Sequence, residues 1–231
     1  MKKILITGSG EGIGLQCLKK FESNNWEVIP HYFRSDKTFK KTVSYKNRIF
    51  CDFTNQKKIL SFLKKISKLN IDAVINCAGV FDNSKKKKNR IKEIQKVLFV
   101  NTIVPIMITE TLLENMIKNN FGRIVNISSV GVKYGSNENN LFYGVSKAGL
   151  EMSSRSFSKK CAKHNVLINN VRPGPTHTNF LIKTAKNLKK RKELIPAKRF
   201  CKVDEISELL FFLINNNTFV TNENISISGG E

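Results

Sequence analysis

Short apolar runs alternate with amphipathic stretches along the whole chain. Residues 3–6 (Lys-Ile-Leu-Ile) form an apolar run closed by Thr7-Gly8 and read as a buried parallel strand. Beyond a glycine turn, Leu15, Leu18 and Phe21 recur at helical spacing. Residues 27–33, 48–51, 72–76, 122–129, 166–171 and 224–230 predict six further strands. Helical periodicity fills the intervals. It is carried by Ile59, Leu60, Phe62, Leu63 and Ile66 within 55–69, and by a long stretch over 91–117. It returns around Tyr143, and again in Ile206, Leu209, Leu210, Leu213 and Ile214 behind Asp204. Unbroken strand–helix alternation, with no linker, repeat or shift of composition, predicts one doubly wound α/β (Rossmann) domain over residues 1–231. Its sheet should hold seven parallel strands, with helices on both faces.

Some positions break the pattern. Pro30 falls inside the second strand, where it cannot donate to the ladder. Asn101-Thr102 and Pro105 interrupt the long apolar stretch and predict a bent helix, with Asn101 satisfying freed backbone groups or holding a water. Asp52 or Thr54 should cap the helix over 55–69, and Asp204 the last one. Residues 179–199 are basic and poorly periodic, as in a lid.

With 231 residues, 40% of them hydrophobic, the chain can bury a full core. It has no run of eighteen apolar residues and its N-terminal apolar run is too short for a signal peptide, so neither membrane span nor export is expected. Five scattered cysteines without C-x-x-C point to reduced thiols and a cytoplasmic setting. The three histidines lack ligand spacing, so no metal is expected. The net charge of +22 would suit a nucleic-acid binder. Its lysines are spread out, however, among many asparagines and isoleucines, as a composition rich in A and T would dictate. The one dense run, Lys85–Lys88 with Arg90, reads as a solvated loop. Attraction to an acidic substrate or carrier is the softer consequence of the charge.

The chemistry gathers at strand ends. Gly8, Ser9, Gly12, Ile13 and Gly14 lie between the first strand and a helix, the arrangement in which backbone N–H groups and a helix dipole hold a pyrophosphate. Arg34, at the end of the second strand, suits the 2′-phosphate of NADP and favours it over NAD. Asp52 and Phe53 end the third strand at the height of an adenine. Asn76, Ala78 and Gly79 end the fourth, where small residues let a flat cofactor approach. Ser128 and Ser129 end the fifth and should face opposite sides. Tyr143 and Lys147 lie four residues apart, hence on one face of a helix, where the ammonium should lower a phenol that ordinarily titrates near ~10. Pro173, Gly174, Thr176 and Thr178 form a rigid turn after the sixth strand.

Together these residues resemble the short-chain dehydrogenase/reductase family over nearly the whole chain. Thr7-Gly8-x-x-x-Gly12-Ile13-Gly14 is similar to its cofactor motif. Asn76-Cys77-Ala78-Gly79 is similar to its Asn-Ala-Gly motif, with Cys77 where a second asparagine is common. Ser129, Tyr143, Lys147 and Asn101 match its catalytic set. The resemblance implies that Tyr143 is the acid/base and that Ser129 polarises the carbonyl. It implies that Lys147 holds the ribose and lowers the tyrosine's pKa, while Asn101 anchors a water. It implies interconversion of a ketone and a secondary alcohol with NADPH, nearest to 3-oxoacyl-carrier-protein reductases. It also implies a homodimer or homotetramer. Asn222 departs from a common glycine, and the Ser129–Tyr143 spacing is about a residue longer than in acyl reductases. The polar loop 136–140 would equally suit a sugar-like ketone. A non-catalytic NADP-binding regulator is the alternative without chemistry.

Overall fold

The structure, a computed structural model, describes residues 1–33, 47–81, 89–136, 140–184 and 187–231. Its strands are β1 (Lys3–Thr7), β2 (Glu27–Tyr32), β3 (Ile49–Phe50), β4 (Ala73–Asn76), β5 (Gly122–Ile127), β6 (Val166–Pro173) and β7 (Asn224–Ile227). They pair in parallel in the order β3-β2-β1-β4-β5-β6-β7, as a seven-stranded sheet. The chain starts in the middle, builds outward to β3, then returns and builds the other way. The crossover leaves a crevice between the C-terminal ends of β1 and β4, the place where such sheets bind ligands.

Nine α-helical segments connect the described strands. They are α1 (Gly12–Glu22), α2 (Gln56–Ile66), α3 (Arg90–Leu98), α4 (Val104–Lys118), α5 (Gly131–Tyr134), α6 (Leu141–Cys161), α7 (Asn179–Thr184), α8 (Leu188–Glu193) and α9 (Val203–Phe211). One sheet face packs through Leu5, Val74, Ile124 and Ile168 against α2 and α4. The other packs through Ile4, Ile6, Ile75 and Val171 against α1 and α9. Alternation along each strand sends these sets to opposite sides.

Helix α6 meets the first face with a polar stripe. Ser146, Lys147, Glu151, Ser154 and Ser158 are all buried. Each is matched by a polar group, as buried polar atoms must be. Ser154 bonds Asn126 and Asn170, Ser158 bonds the Ser154 and Ile168 carbonyls, and Lys147 bonds the Ile127 carbonyl. The asparagines form a ladder of paired neighbours. Asn76 donates to Asn126, Asn126 to Asn170, and Asn170 to Asn224, from β4 across to β7. Asn76 Oδ1, at the crevice end, is buried and has no partner among the described residues.

The irregular positions now have causes. His31 gives its carbonyl to Ser9 on the β1 side and Tyr32 gives its carbonyl to Cys51 on the β3 side. Residues in a parallel ladder alternate sides, so the Pro30 nitrogen faces β3, whose pairing begins only at His31–Ile49. The proline forfeits no ladder bond. The bend before Pro105 is a π turn, Phe99–Ile103, with Asn101 at its centre. The caps differ from expectation. Asn55 caps α2 by accepting from Lys58, while Asp52 accepts instead from the Thr54 amide and hydroxyl. Asp204 lies inside the first turn of α9, and Glu205 reaches back to the Lys202 amide. The segment expected as a lid folds as α7 and α8. Asn222 has φ +63°, a left-handed conformation that asparagine tolerates almost as glycine does. The run Arg90–Lys118 is long and apolar enough to cross a membrane, but half of its most apolar stretch is buried in the protein.

Candidate active site

The glycine turn forms the floor of the crevice. Gly8 and Gly12 have φ of +71° and +57°, where side chains are strained. A Cβ on Gly14 would sit 2.2 Å from the Gly8 carbonyl oxygen, so only glycine lets the helix start this close to the turn. Helix α1 begins without a side-chain cap and without an acidic residue in its first turn. Apart from the Gly14 N–H, which bonds Cys77, its first amides are therefore open to an anion. Ser9 is different from expectation. It is fully buried, its hydroxyl donates to the Ile6 carbonyl and its amide to the His31 carbonyl. It braces the turn from beneath and offers a ligand neither group.

The wall opposite is the end of β4. Thr7 Oγ1 accepts from the Cys77 and Ala78 amides at 3.0 and 3.1 Å, tying the two strand ends together. A Cβ on Gly79 would stand 3.4 Å from Asn101 Oδ1 and 3.6 Å from Lys147 Nζ, so the chain passes between those groups. Asn76 is turned into the sheet, towards Asn126.

Ser129, Tyr143, Lys147 and Asn101 converge beside that wall. Ser128 and Ser129 diverge as expected: Ser128 is buried against Glu151, and Ser129 faces the crevice. Gly131 N–H fixes Ser129 Oγ at 3.1 Å, and Ser129 hydrogen-bonds the Tyr143 phenol. Lys147 is 3% exposed. Its Nζ donates to the Ile127 carbonyl at 2.7 Å and lies 5.7 Å from the Tyr143 ring centre. An ammonium has three donors, so two remain for the crevice. Asn101 is clamped: Oδ1 accepts from Val80 N–H at 2.8 Å, and Nδ2 donates to the Val80 carbonyl and Ser146 Oγ. Its side chain therefore holds the β4 exit.

The pKa of Tyr143 moves against expectation. Burial pushes the phenol up to about 12, the Ser129 hydrogen bond pulls the other way, and Cys77 adds to the rise. Burial lowers Lys147 to about 8, with Cys77 and Glu151 opposing. Desolvation of the phenol thus outweighs the help expected from the ammonium.

A family model described as short chain dehydrogenase matches residues 2–189. The chain belongs to the short-chain dehydrogenase family. It is 30% identical over 240 residues to the 3-oxoacyl-[acyl-carrier-protein] reductase FabG of Aquifex aeolicus (strain VF5), covering 99% of this chain and 96% of the relative. It is 28% identical over 233 residues to carbonyl reductase family member 4 of Xenopus tropicalis, covering 99% and 97%. A solved short chain dehydrogenase/reductase family protein superposes with a TM-score of 0.88 at 21% identity, covering 99% and 96%.

Short-chain dehydrogenases are oxidoreductases that bind NAD(P), and the residues present fit that cofactor. The uncapped first turn of α1 suits the pyrophosphate. The glycine cradle, which a Cβ at position 14 would fill, suits its close approach. The two spare donors of Lys147 suit a ribose. The turn after β6 closes over this floor: Thr178 Cγ2 lies 3.2 Å from where a Cβ on Gly12 would be, and Asn179 donates to Glu11 at 2.8 Å. Pro173 and Gly174 tie that turn to β5 and β7 through Val130 and Ile227, while Thr176 is buried and spends its hydroxyl on the Gly174 carbonyl. On the adenine side, Phe53 turns inward and stacks on His31, which leaves only its main chain for a ligand. Arg34 lies outside the described residues.

Four residues of this site were not singled out from the sequence. Phe81 and Phe180 pack their rings around Tyr143, with centres 5.1 and 6.1 Å away. Glu151 lies one turn beyond Lys147 and takes Ser128 and Arg172 together. Its spacing after Tyr143 and Lys147 was a readable signal. His31 lies beneath the glycine turn, and nothing in its spacing marked it.

Proposed function

We propose that this chain reduces a ketone to a secondary alcohol with NADPH, and that Tyr143 supplies the proton. The observation that carries this reading is the Tyr143 phenol, hydrogen-bonded to Ser129 beside the Lys147 ammonium at the mouth of the glycine-lined crevice. The nicotinamide, when bound, supplies a hydride to the carbonyl carbon. Ser129 and Tyr143 then donate hydrogen bonds to the carbonyl oxygen as it gains charge. Tyr143 passes its proton to that oxygen. Lys147 holds the ribose and places a positive charge beside the phenolate that remains. Phe81 and Phe180 wall off the reacting atoms from water.

Those aromatic walls support an apolar or acyl ketone over a sugar-like one. Exposed Lys189, Lys190 and Lys192 on the short helix α8 support an acidic carrier for it. The 3-oxoacyl-carrier-protein reductase among the relatives fits the same substrate class. Arg34 supports NADP over NAD. Exposed Leu141, Val145 and Met152 along α6 support self-association as a homodimer or homotetramer, and five free thiols support a cytoplasmic setting.

The test is oxidation of NADPH, compared with NADH, against 3-oxoacyl thioesters and a panel of polar ketones. Tyr143→Phe should lose at least ~10²-fold in turnover. NADPH binding with no turnover on any carbonyl would replace the enzyme with a dinucleotide-binding regulator. Full activity of the Phe variant would remove Tyr143 from the chemistry.

A further inference from the structure

We infer that His31 is a positioning residue of the dinucleotide site: a neutral imidazole, protonated only on Nε2, that locks the glycine turn to the adenine-side loop. The inference rests on the reading of the crevice as an NAD(P)H site. His31 is 1% exposed in β2. Its Nδ1 lies 3.3 Å from the Gly8 N–H, and its Nε2 lies 2.9 Å from the Cys51 carbonyl. The two partners dictate the tautomer. An amide N–H can only donate, so Nδ1 must accept; a carbonyl can only accept, so Nε2 must carry the hydrogen. The backbone adds a third tie, because the His31 carbonyl accepts from Ser9 N–H at 3.0 Å.

The ring itself is a spacer. It stacks on Phe53 with centres 4.0 Å apart and planes 4° apart, and Phe62 closes its edge at 5.5 Å. One side chain therefore joins Gly8, where the phosphate turn begins, to Cys51 and Phe53, where the adenine side begins. The two halves of a dinucleotide sit on those two segments. Gly8 cannot shift sideways either, since a Cβ there would already lie 2.9 Å from Ala78 Cα. Its amide is consumed from below, which leaves the first turn of α1 as the anion-binding group. A second proton on Nδ1 would set N–H against N–H. The surroundings are aromatic and main-chain groups that offer such a charge no partner, and burial holds the imidazole down near 4.

The experiment measures binding, not turnover. NADPH affinity is read by nicotinamide fluorescence, and 2′,5′-ADP affinity by competition, with thermal melting in parallel. His31→Phe keeps the stack and loses both side-chain hydrogen bonds. It should weaken 2′,5′-ADP by about 10-fold, the equivalent of roughly one to two hydrogen bonds. His31→Asn keeps an acceptor for Gly8 but loses the stack and the Cys51 bond, and should bind about threefold more weakly than wild type, between it and the Phe variant. His31→Gln can keep only the Cys51 bond and should fall with the Phe variant. A purely structural residue would lower the melting temperature without ordering the three variants this way. In the wild type, nitrogen NMR should show Nδ1 unprotonated and Nε2 protonated at neutral pH.

Equal affinity of the Asn and Gln variants, a Phe variant that binds like wild type, or a proton on Nδ1 would each overturn the inference alone. If the Phe variant does not fold, the Asn–Gln pair and the NMR decide. A wild-type protein that binds neither NADPH nor NADH would overturn the cofactor reading, and this inference with it.

Discussion

Glu151→Gln is the substitution that most directly tests how the site is built. The Glu151 carboxylate is nearly enclosed and receives three donors. Ser128 Oγ reaches Oε1 at 2.5 Å, Arg172 Nε reaches Oε1 at 2.7 Å, and Arg172 Nη2 reaches Oε2 at 2.5 Å. Side-chain exposure is 5% for the glutamate and 16% for the arginine. Glutamine has the same shape, but it turns one acceptor into a donor facing a guanidinium and leaves that cation unpaired. Breaking a buried pair by one partner costs about 3–5 kcal/mol, and the residual exposure of Arg172 places this case near ~3. For a domain of this size that lowers the melting temperature by roughly 6–12 °C. Ser128 follows the end of β5 and precedes Ser129, Arg172 precedes Pro173 on β6, and Lys147 precedes Glu151 on α6. The loss should therefore reach turnover as well as stability. Urea titration of Glu151→Gln, Arg172→Met and the double variant gives the coupling directly. The double variant should recover much of the loss, since it leaves no orphaned charge. A single variant within ~1 kcal/mol of wild type, or a double variant no better than the sum of the singles, would refute this account of the cluster.

Two further outcomes follow from the same geometry. Lys147→Met should stabilise the cofactor-free chain at pH 7 while abolishing turnover, because a buried ammonium that titrates near 8 carries a penalty of roughly 3 kcal/mol. The folded state binds fewer protons than the unfolded one between about pH 8 and the ordinary lysine range near ~10.4, so wild-type stability should rise with pH across that window and the variant's should not; a variant less stable than wild type at pH 7 would contradict this. Gly14→Ala should weaken NADPH by at least ~10-fold and cost about 1–3 kcal/mol, since its methyl would strike the Gly8 carbonyl, whereas Gly149→Ala, which meets only the Thr102 methyl at 3.2 Å, should melt close to wild type.

The seven parallel strands and the place of the crevice were legible because they depend on many residues at once. Seven apolar runs, each followed by small or polar residues, leave few ways to wind a parallel sheet. The opposite facing of Ser128 and Ser129 was legible too, because a strand's period of two is rigid. Single side chains at strand ends were harder. Ser9 and Phe53 sit in turns, where alternation no longer holds, and both turn inward. Their destinations depend on His31, which is remote in sequence. The caps were misplaced by one to three residues because Asp, Thr and Asn all suit that role, and only the backbone angle chooses among them. Asparagine was undervalued. Six of the described residues at positive φ outside glycine are asparagines, at 25, 70, 89, 120, 165 and 222. A composition that reads as base bias in fact supplies left-handed turns, besides the ladder across β4 to β7.

The phenol was the other misjudged side chain. A lysine one turn away lowers a tyrosine only where its pull exceeds the cost of burying the phenolate. Here the ammonium is desolvated, committed to the Ile127 carbonyl, and 5.7 Å from the ring centre. Burial disfavours the charged form of each group, phenol and ammonium alike. The result is a tyrosine that keeps its proton at neutral pH, titrating near 12. Such a group serves poorly as a base towards an alcohol. It serves well as an acid towards an alkoxide, which is a far stronger base than a phenolate. Tyr143 therefore stands in its neutral form at neutral pH, the hydrogen-bond-donating form that the proposed reduction calls on.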